Sequence, residues 1–288
     1  MTDLRWARPE ERGEIQSYLF ESMGKIPHER WLNILDCRWN GLDEKYGVVV
    51  EEKGKIAGFL GIVFADREFL GVPYRTGNIT SWFLEKPLRR SGLGQDMLAM
   101  ITEPTGVTYT AISANFRSGA LLKKIGWQNL EDQRVFWKRT DGLVPSDVQI
   151  FSGATALSGK LADEPAKIIS DHAGLNLTPH LLSSANEDDL FFMTYKKYKG
   201  DNKTAHFEIL HTGNPQILSN NITNIANLLL PKENAVLSSD KRFLVPCTGY
   251  DHSQKLQVAR YFKPHNNLPA RQIDFLYGEV VLLDLKIY

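Results

Sequence analysis

Between residues 79 and 101 the chain changes character twice. Ile79–Leu84 (ITSWFL) is β-branched, aromatic and aliphatic, the composition of a buried strand. Gln95–Ile101 (QDMLAMI) consists of good helix formers, with apolar residues at Met97, Leu98 and Ile101. Arg89-Arg90-Ser91-Gly92-Leu93-Gly94 must therefore turn the chain from strand to helix, with two glycines at the turn and two arginines beside it.

Three kinds of phosphate cradle use glycine in this position. The P-loop needs two glycines five apart followed by Lys-Ser/Thr, and this stretch has no such pattern. The dinucleotide fingerprint needs a third glycine where Met97 stands, inside an early βαβ unit that is also missing. The third is an anion nest. Successive backbone N–H groups at a helix start converge on a phosphate, the missing Cβ atoms allow close approach, and the arginines add charge. An ordinary surface loop is the competing reading of this hexamer alone.

The neighbouring pattern predicts a mixed sheet. Asp3–Ala7 reads as a strand, followed from Pro9 by an amphipathic helix through Ile15, Tyr18 and Leu19. Gly24 and Pro27 break it before a second helix carrying Trp31, Ile34, Leu35 and Trp39. Gly47–Glu51 and Ile56–Ala65 form a hairpin around EKGK, and Arg75–Leu84 is the next strand. Val107–Ser113 is a strand, Asn115–Lys124 a helix closed by Gly126, and Gln133–Lys138 a strand. The fold class expected is α/β (α+β), a mixed, mostly antiparallel sheet with helices on both faces, plus a second, smaller α/β domain. DGLVP, residues 141–145, divides the chain into domains 1–140 and 141–288. In the second, Ala162–His172 and Ile222–Leu230 read as helices. Leu190–Lys196 and Ala205–His211 read as a hairpin around KGDNK, and Arg242–Pro246 and Asp274–Ile287 as strands. The order hairpin, helix, strand loosely echoes the first half.

Composition removes several function classes. The 34 basic residues balance 34 acidic ones, which argues against a general nucleic-acid binder. Tyr195, Tyr198, Tyr250, Tyr261 and Phe262 lie near Lys196, Lys197, Arg260 and Lys263, but without an RNP-like motif they read as packing residues. Cys37 and Cys247 are far apart, and His206 and His211 have no Cys partner, so neither disulfide nor metal is expected and both histidines read as polar surface. The opening MTDLRWARPEERGEI has no signal-peptide core, and no apolar run is long enough for a membrane helix. These features point to a cytoplasmic protein. The sequence leaves the oligomeric state open, a homodimer included.

With these elements in place the first half resembles the GCN5-related N-acetyltransferase (GNAT) superfamily. Its acetyl-CoA motif, Arg/Gln-x-x-Gly-x-Gly/Ala after the fourth strand, is similar to Arg89–Gly94 at every fixed position. Its next motif is a fifth strand and an Asn-led helix ending in Gly-aromatic, which resembles Val107–Ser113, Asn115 and Gly126–Trp127. The resemblance spans roughly residues 3–139. It implies acetyl-CoA as co-substrate, with Trp82, Phe83 and Leu84 beside the pantetheine arm and a backbone N–H near Phe83 or Leu84 polarising the thioester carbonyl. It also implies Arg89, Arg90, Ser91, Gly92, Leu93, Gly94 and Gln95 around the pyrophosphate, with Asn115 and Ser118 across from them. His28, Glu29, Asn78 and Thr80 are the acceptor-site candidates.

The sequence departs from the family at the chemistry. The position of the family's proton-donating Tyr is Leu122. The fourth strand offers Asn78, Thr80 and Ser81 where many members place a Glu base, and none of these is a base near neutral pH. Glu85 reads as surface and Tyr109 as a half-buried strand aromatic. No catalytic residue follows from the sequence. The leading expectation is an acyl-CoA-dependent N-acyltransferase acting on a small-molecule amine, with residues 141–288 a degenerate GNAT-like half completing the acceptor site. The layout looks similar to two-part bacterial acetyltransferases of surface-polysaccharide synthesis, which implies an amino-sugar nucleotide acceptor. The alternatives are a non-catalytic acyl-CoA sensor or scaffold and an unrelated α/β interaction module.

Overall fold

A computed structural model describes residues 2–41, 44–69, 72–140, 142–185, 187–199, 203–265 and 268–287. The chain runs β1 (Thr2–Trp6), α1 (Arg12–Met23), α2 (Leu32–Leu35), β2 (Gly47–Glu52), β3 (Lys55–Phe69), β4 (Val72–Leu84), α3 (Leu93–Ile101), β5 (Val107–Ala111) and α4 (Phe116–Lys124). It continues through β6 (Gln128–Trp137), β7 (Gln149–Ser152), α5 (Ala154–Leu157), α6 (Asp163–Asp171), β8 (Thr178–Ser184), β9 (Glu187–Lys199), β10 (Thr204–Thr212), α7 (Pro215–Leu229) and β11 (Ala235–Asp240). The last elements are β12 (His252–Lys263) and α8 (Glu279–Leu282).

Two compact units result, and no single cut in sequence separates them. Unit 1 holds residues 1–130, 260–268 and 277–287; unit 2 holds 131–259 and 269–276. In unit 1 the strand order is β1-β2-β3-β4-β5-β12. All pairings there are antiparallel except the parallel pair β4–β5. Val48, Val49 and Val50 are consecutive and fully buried, and the run from Ile56 to Ala65 is buried too. Neighbouring side chains on a strand point to opposite faces, so both faces of the sheet are covered. The predicted hairpin and helices of this half are present, but the second helix ends at Leu35. Cys37 turns left-handed (φ 51°), and Trp39 packs against Tyr277 instead.

Unit 2 repeats the order: β7-β8-β9-β10 antiparallel, β10–β11 parallel across α7, and β11–β6 antiparallel. Helix α7 starts earlier than Ile222. Asn214 accepts from the N–H groups of Gln216 and Ile217, and Pro215 occupies the first turn. Of the expected turn KGDNK, residues 200–202 lie outside the described residues, as does Asp141 of the expected boundary.

Two expected strands are absent. Arg242–Pro246 is a 3₁₀ turn over Lys241–Phe243 and a loop, because the strand lies just upstream in β11 and Pro246 has no N–H for a ladder. Asp274–Ile287 is a buried irregular segment with the short α8. Its N–H groups find separate partners: Phe275 donates to the Leu210 carbonyl (3.0 Å) and Glu279 to Asn78 Oδ1 (2.8 Å). An apolar run this short looks the same in sequence whichever way it is buried. β7, β8 and β12 were not predicted. The two histidines expected at the surface are in β10, with His206 buried and His211 paired to Asp274 at 2.7 Å. Tyr195, Tyr261 and Phe262 are buried, whereas Tyr198 and Tyr250 are exposed.

His180 in β8 stacks on Phe192 and lies 2.8 Å from Ser152 Oγ and 2.9 Å from Thr194 Oγ1. Burial pushes its pKa down from 6.5 to about 4, so the fold holds the neutral ring. Between those pH values the unfolded chain takes up a proton that the folded chain refuses, so stability falls with pH, by up to about 3 kcal/mol. Urea unfolding should show that loss on going from pH 6.5 to 4, and a His180→Gln variant should show a flatter profile across the same window.

Candidate active site

The site in unit 1 begins with a fault in one strand. β4 pairs with β3 through Gly61↔Thr80 and Phe59↔Phe83, so Ser81 and Trp82 together oppose Leu60. The extra residue is a β-bulge, and Ser81 sits at φ 52°, left-handed and off the strand path. Parallel pairing of β4 with β5 stops at Asn78↔Thr110. Beyond that point the two strands are unpaired, and Trp82–Leu84 line an open groove of about 320 Å³.

The groove gathers much of what the sequence singled out. Trp82, Phe83, Leu84, Arg89, Arg90, Gly94, Asn115 and Ser118 line it, together with Arg117 and Leu121, which sequence reasoning missed. Ser91, Gly92, Leu93 and Gln95 form the adjoining turn rather than the lining. Arg90 (φ 73°) and Gly92 (φ 96°) are both left-handed, with Ser91 between them; Gly92 caps α3 with no side chain of its own, and Ser91 Oγ accepts the Leu93 N–H at 3.3 Å. The first N–H groups of a helix have no intrahelical partner, so this start presents donors to an anion. Arg89 is fixed by donating Nε–H to the Leu84 carbonyl at 2.6 Å and lying over the Phe83 ring. Across the groove, Asn115 caps α4 by accepting from the N–H groups of Arg117 and Ser118. Three arginines and the start of α3 give the groove a positive field that favours an anion.

An inner cavity of about 220 Å³ shares Trp82, Asn115 and Ser118 with the groove. Its apolar wall includes Met23, Ile26, Trp31, Ile79, Leu283 and Leu285, and its polar wall Thr80, Ser81, Ser113 and Glu279. Trp31 is fully buried, and its indole N–H has no partner among the described residues. Leu122 also lines this cavity. Asn78 sits behind the cavity rather than in its wall, donating to Thr110 Oγ1 (3.0 Å) and accepting the Glu279 N–H. His28 is held by Gln16 against Phe20, and Glu29 is exposed; neither lines the cavity. Glu85 is exposed. Tyr109 is buried, donates to the Pro104 carbonyl (2.8 Å), and has its pKa pushed up to about 12 by burial.

Glu279 is the carboxylate of this cavity. It accepts from Ser113 Oγ at 2.5 Å and bonds to the Thr80 side chain. Burial raises its pKa above the usual carboxylate range, and these hydrogen bonds pull it partly back. The sequence signal was present, as one acidic residue inside the apolar run FLYGEVVLL, but the strand expected there masked it. No group of His, Cys, Asp and Glu that could hold a metal occurs among the described residues, and no helix among them is long and apolar enough to cross a membrane.

Residues 6–127 match the acetyltransferase (GNAT) family, so this stretch is a GNAT domain and the protein an enzyme of the N-acetyltransferase class. Solved structures share the fold over most of the chain. A GCN5-related N-acetyltransferase from Kribbella flavida is 11% identical, with a TM-score of 0.60 over 91% of this chain and 70% of its own. One from Anabaena variabilis is 14% identical, with a TM-score of 0.58 over 91% of this chain and 72% of its own. The GCN5-related glucosamine N-acetyltransferase region of a fungal multi-domain GH3 β-N-acetylglucosaminidase is 11% identical, with a TM-score of 0.51 over 91% of this chain and 38% of its own. No curated protein is a detectable sequence relative of the chain.

Gly278 positions the carboxylate by its smallness. A Cβ there would stand 2.9 Å from Asn78 Oδ1, an atom already fixed by hydrogen bonding. Gly278→Ala should therefore lower thermal stability by about 1–3 kcal/mol through overpacking. Gly278→Ala combined with Asn78→Ala should recover less than the Asn78 change alone costs, because the Glu279 N–H is then left unsatisfied. Thermal unfolding of the three variants measures both.

Proposed function

We propose that the protein transfers an acetyl group from acetyl-CoA, bound in the groove, to a primary amine bound in the inner cavity. The observation that carries this reading is the β4 bulge, where an arginine-lined groove and an inner cavity meet at Trp82. The pyrophosphate lies against the α3 start and Arg89–Arg90. The pantetheine arm adds itself to the free edge of Trp82–Leu84. A backbone N–H at Phe83 or Leu84 stabilises the oxyanion that forms when the amine attacks the thioester carbon directly.

The lining also favours one kind of acceptor. Among the described residues no Lys or Arg lines the inner cavity, so a nucleoside diphosphate carrier would find no cation among them. The apolar wall suits a small amine on a largely apolar carrier, with the Trp31 N–H available to one acceptor atom on it. Unit 2 is read as a degenerate copy of the same fold. Its helix α7 begins with Pro215 and an Asn214 cap, so the donors of a phosphate nest are absent or occupied. Leu122 favours the sensor alternative, but the carboxyl group in the same cavity removes the need for it.

Gly94 tests the groove without disturbing the helix. A Cβ there would meet Trp82 only at ordinary contact distance, 3.8 Å, and an acidic residue is favourable in a first helical turn. Gly94→Asp should fold normally yet bind CoA about 100-fold or more weakly, through like-charge contact with the pyrophosphate. Calorimetry with CoA gives the affinity. Thiol release from acetyl-CoA with hexylamine, tyramine, spermidine and glucosamine tests the transfer. Absence of CoA binding by the wild-type protein would remove this reading.

A further inference from the structure

We infer that Glu279 is the catalytic proton carrier of the reaction, taking a proton from the attacking amine and delivering it to the departing sulfur. The inference rests on the function proposed above and supplies what that function lacks, since β4 carries no carboxylate and Leu122 carries no hydroxyl. Two further groups would ordinarily be needed, one to accept a proton and one to donate it. One carboxyl group in the cavity where the thioester and the amine meet can do both.

The geometry supports a working group over a buried structural acid. A carboxylate without a counter-ion is costly to bury, and structural ones are paired with Arg or Lys. Among the described residues the groups facing Glu279 are instead uncharged: Thr80 and Asn78 from β4, Ser113 from the loop after β5, and Asn33 from α2, which binds the neighbouring Leu282 carbonyl. The Arg30–Asp284 ion pair on the same segment is closed on itself at 3.0 Å. The carboxyl group is therefore desolvated but oriented, by a hydroxyl on its Oε1 atom and by the Asn78 clamp on its own backbone N–H. Burial raises its pKa, the direction that suits a group meant to pass on the proton it takes.

The step balances. One N–H proton of the neutral amine passes to the Glu279 carboxylate as the N–C bond forms. The C–S bond then breaks with its electron pair on sulfur, and the carboxyl proton passes to that thiolate. The products are the amide and the CoA thiol, and the carboxylate is restored.

Glu279→Gln keeps the shape and a partner for Ser113 but cannot carry a proton. With acetyl-CoA and whichever of hexylamine, tyramine, spermidine or glucosamine the wild-type enzyme uses, kcat should fall about 10²–10⁴-fold while the CoA dissociation constant and thermal stability stay unchanged. If none of the four is a substrate, the slow hydrolysis of acetyl-CoA, in which water replaces the amine, should fall likewise. Ser113→Ala is the second variant. It removes a hydrogen bond that favours the carboxylate, so the acidic limb of the kcat/KM profile should move to higher pH. A Gln variant that turns over at the wild-type rate, or one that loses CoA affinity together with activity, would overturn the assignment. So would an acidic limb that Ser113→Ala leaves in place. Failure of the wild-type protein to bind CoA would instead sink the function on which the assignment rests.

Discussion

Everything at the site follows from the point where two parallel strands stop bonding to each other. Up to Asn78 and Thr110, β4 and β5 satisfy one another's backbone groups. Past that pair, the bulge at Ser81 turns β4 away and leaves the β5 side of Trp82–Leu84 without a partner strand. An open edge in the interior of a sheet invites another chain or an extended ligand to complete it. The left-handed serine is the local strain that maintains this opening, and the buried strands β2 and β3 behind it keep β4 from relaxing back.

The segment around α8 shows how a fold can hold a charge-bearing group in an apolar pocket. Asn78 spends both ends of its amide on the task, one on Thr110 and one on the Glu279 N–H. Gly278 gives up its side chain so that the two backbones can approach. Such a fully connected polar set fixes a side chain more tightly than packing alone. It also ties the carboxyl group to β4, the strand that carries the bulge.

Much of this was legible in the sequence. The α3 turn could be read because its requirement is local: glycine where φ is positive, arginines beside it, and a strand and a helix on either side. Leu122 and the bare β4 could be read in the same way, as gaps in a spacing. Glu279 could not be located, because its role depends on a contact with Asn78 across 201 positions of sequence that no periodicity encodes. The C-terminal apolar run was misread for a related reason. Continuous burial suggests a strand, but here the N–H groups of Phe275, Leu276 and Glu279 go to separate partners instead of a ladder. β12 escaped because HSQKLQ is too polar to signal a strand, and only the far end of the strand, Tyr261–Lys263, pairs with β5.

The return of residues 260–268 and 277–287 to unit 1 affects how the chain must be made. The edge beside β5 and one wall of the inner cavity are synthesised only after the whole of residues 131–259. During translation the N-terminal strands can collapse, but β5 stays uncovered on one side and the cavity stays open. Closing so long a loop is slow compared with local pairing. The unit that carries the chemistry is thus the last to be finished, and while it waits its exposed strand edge is one a chaperone would have reason to shield.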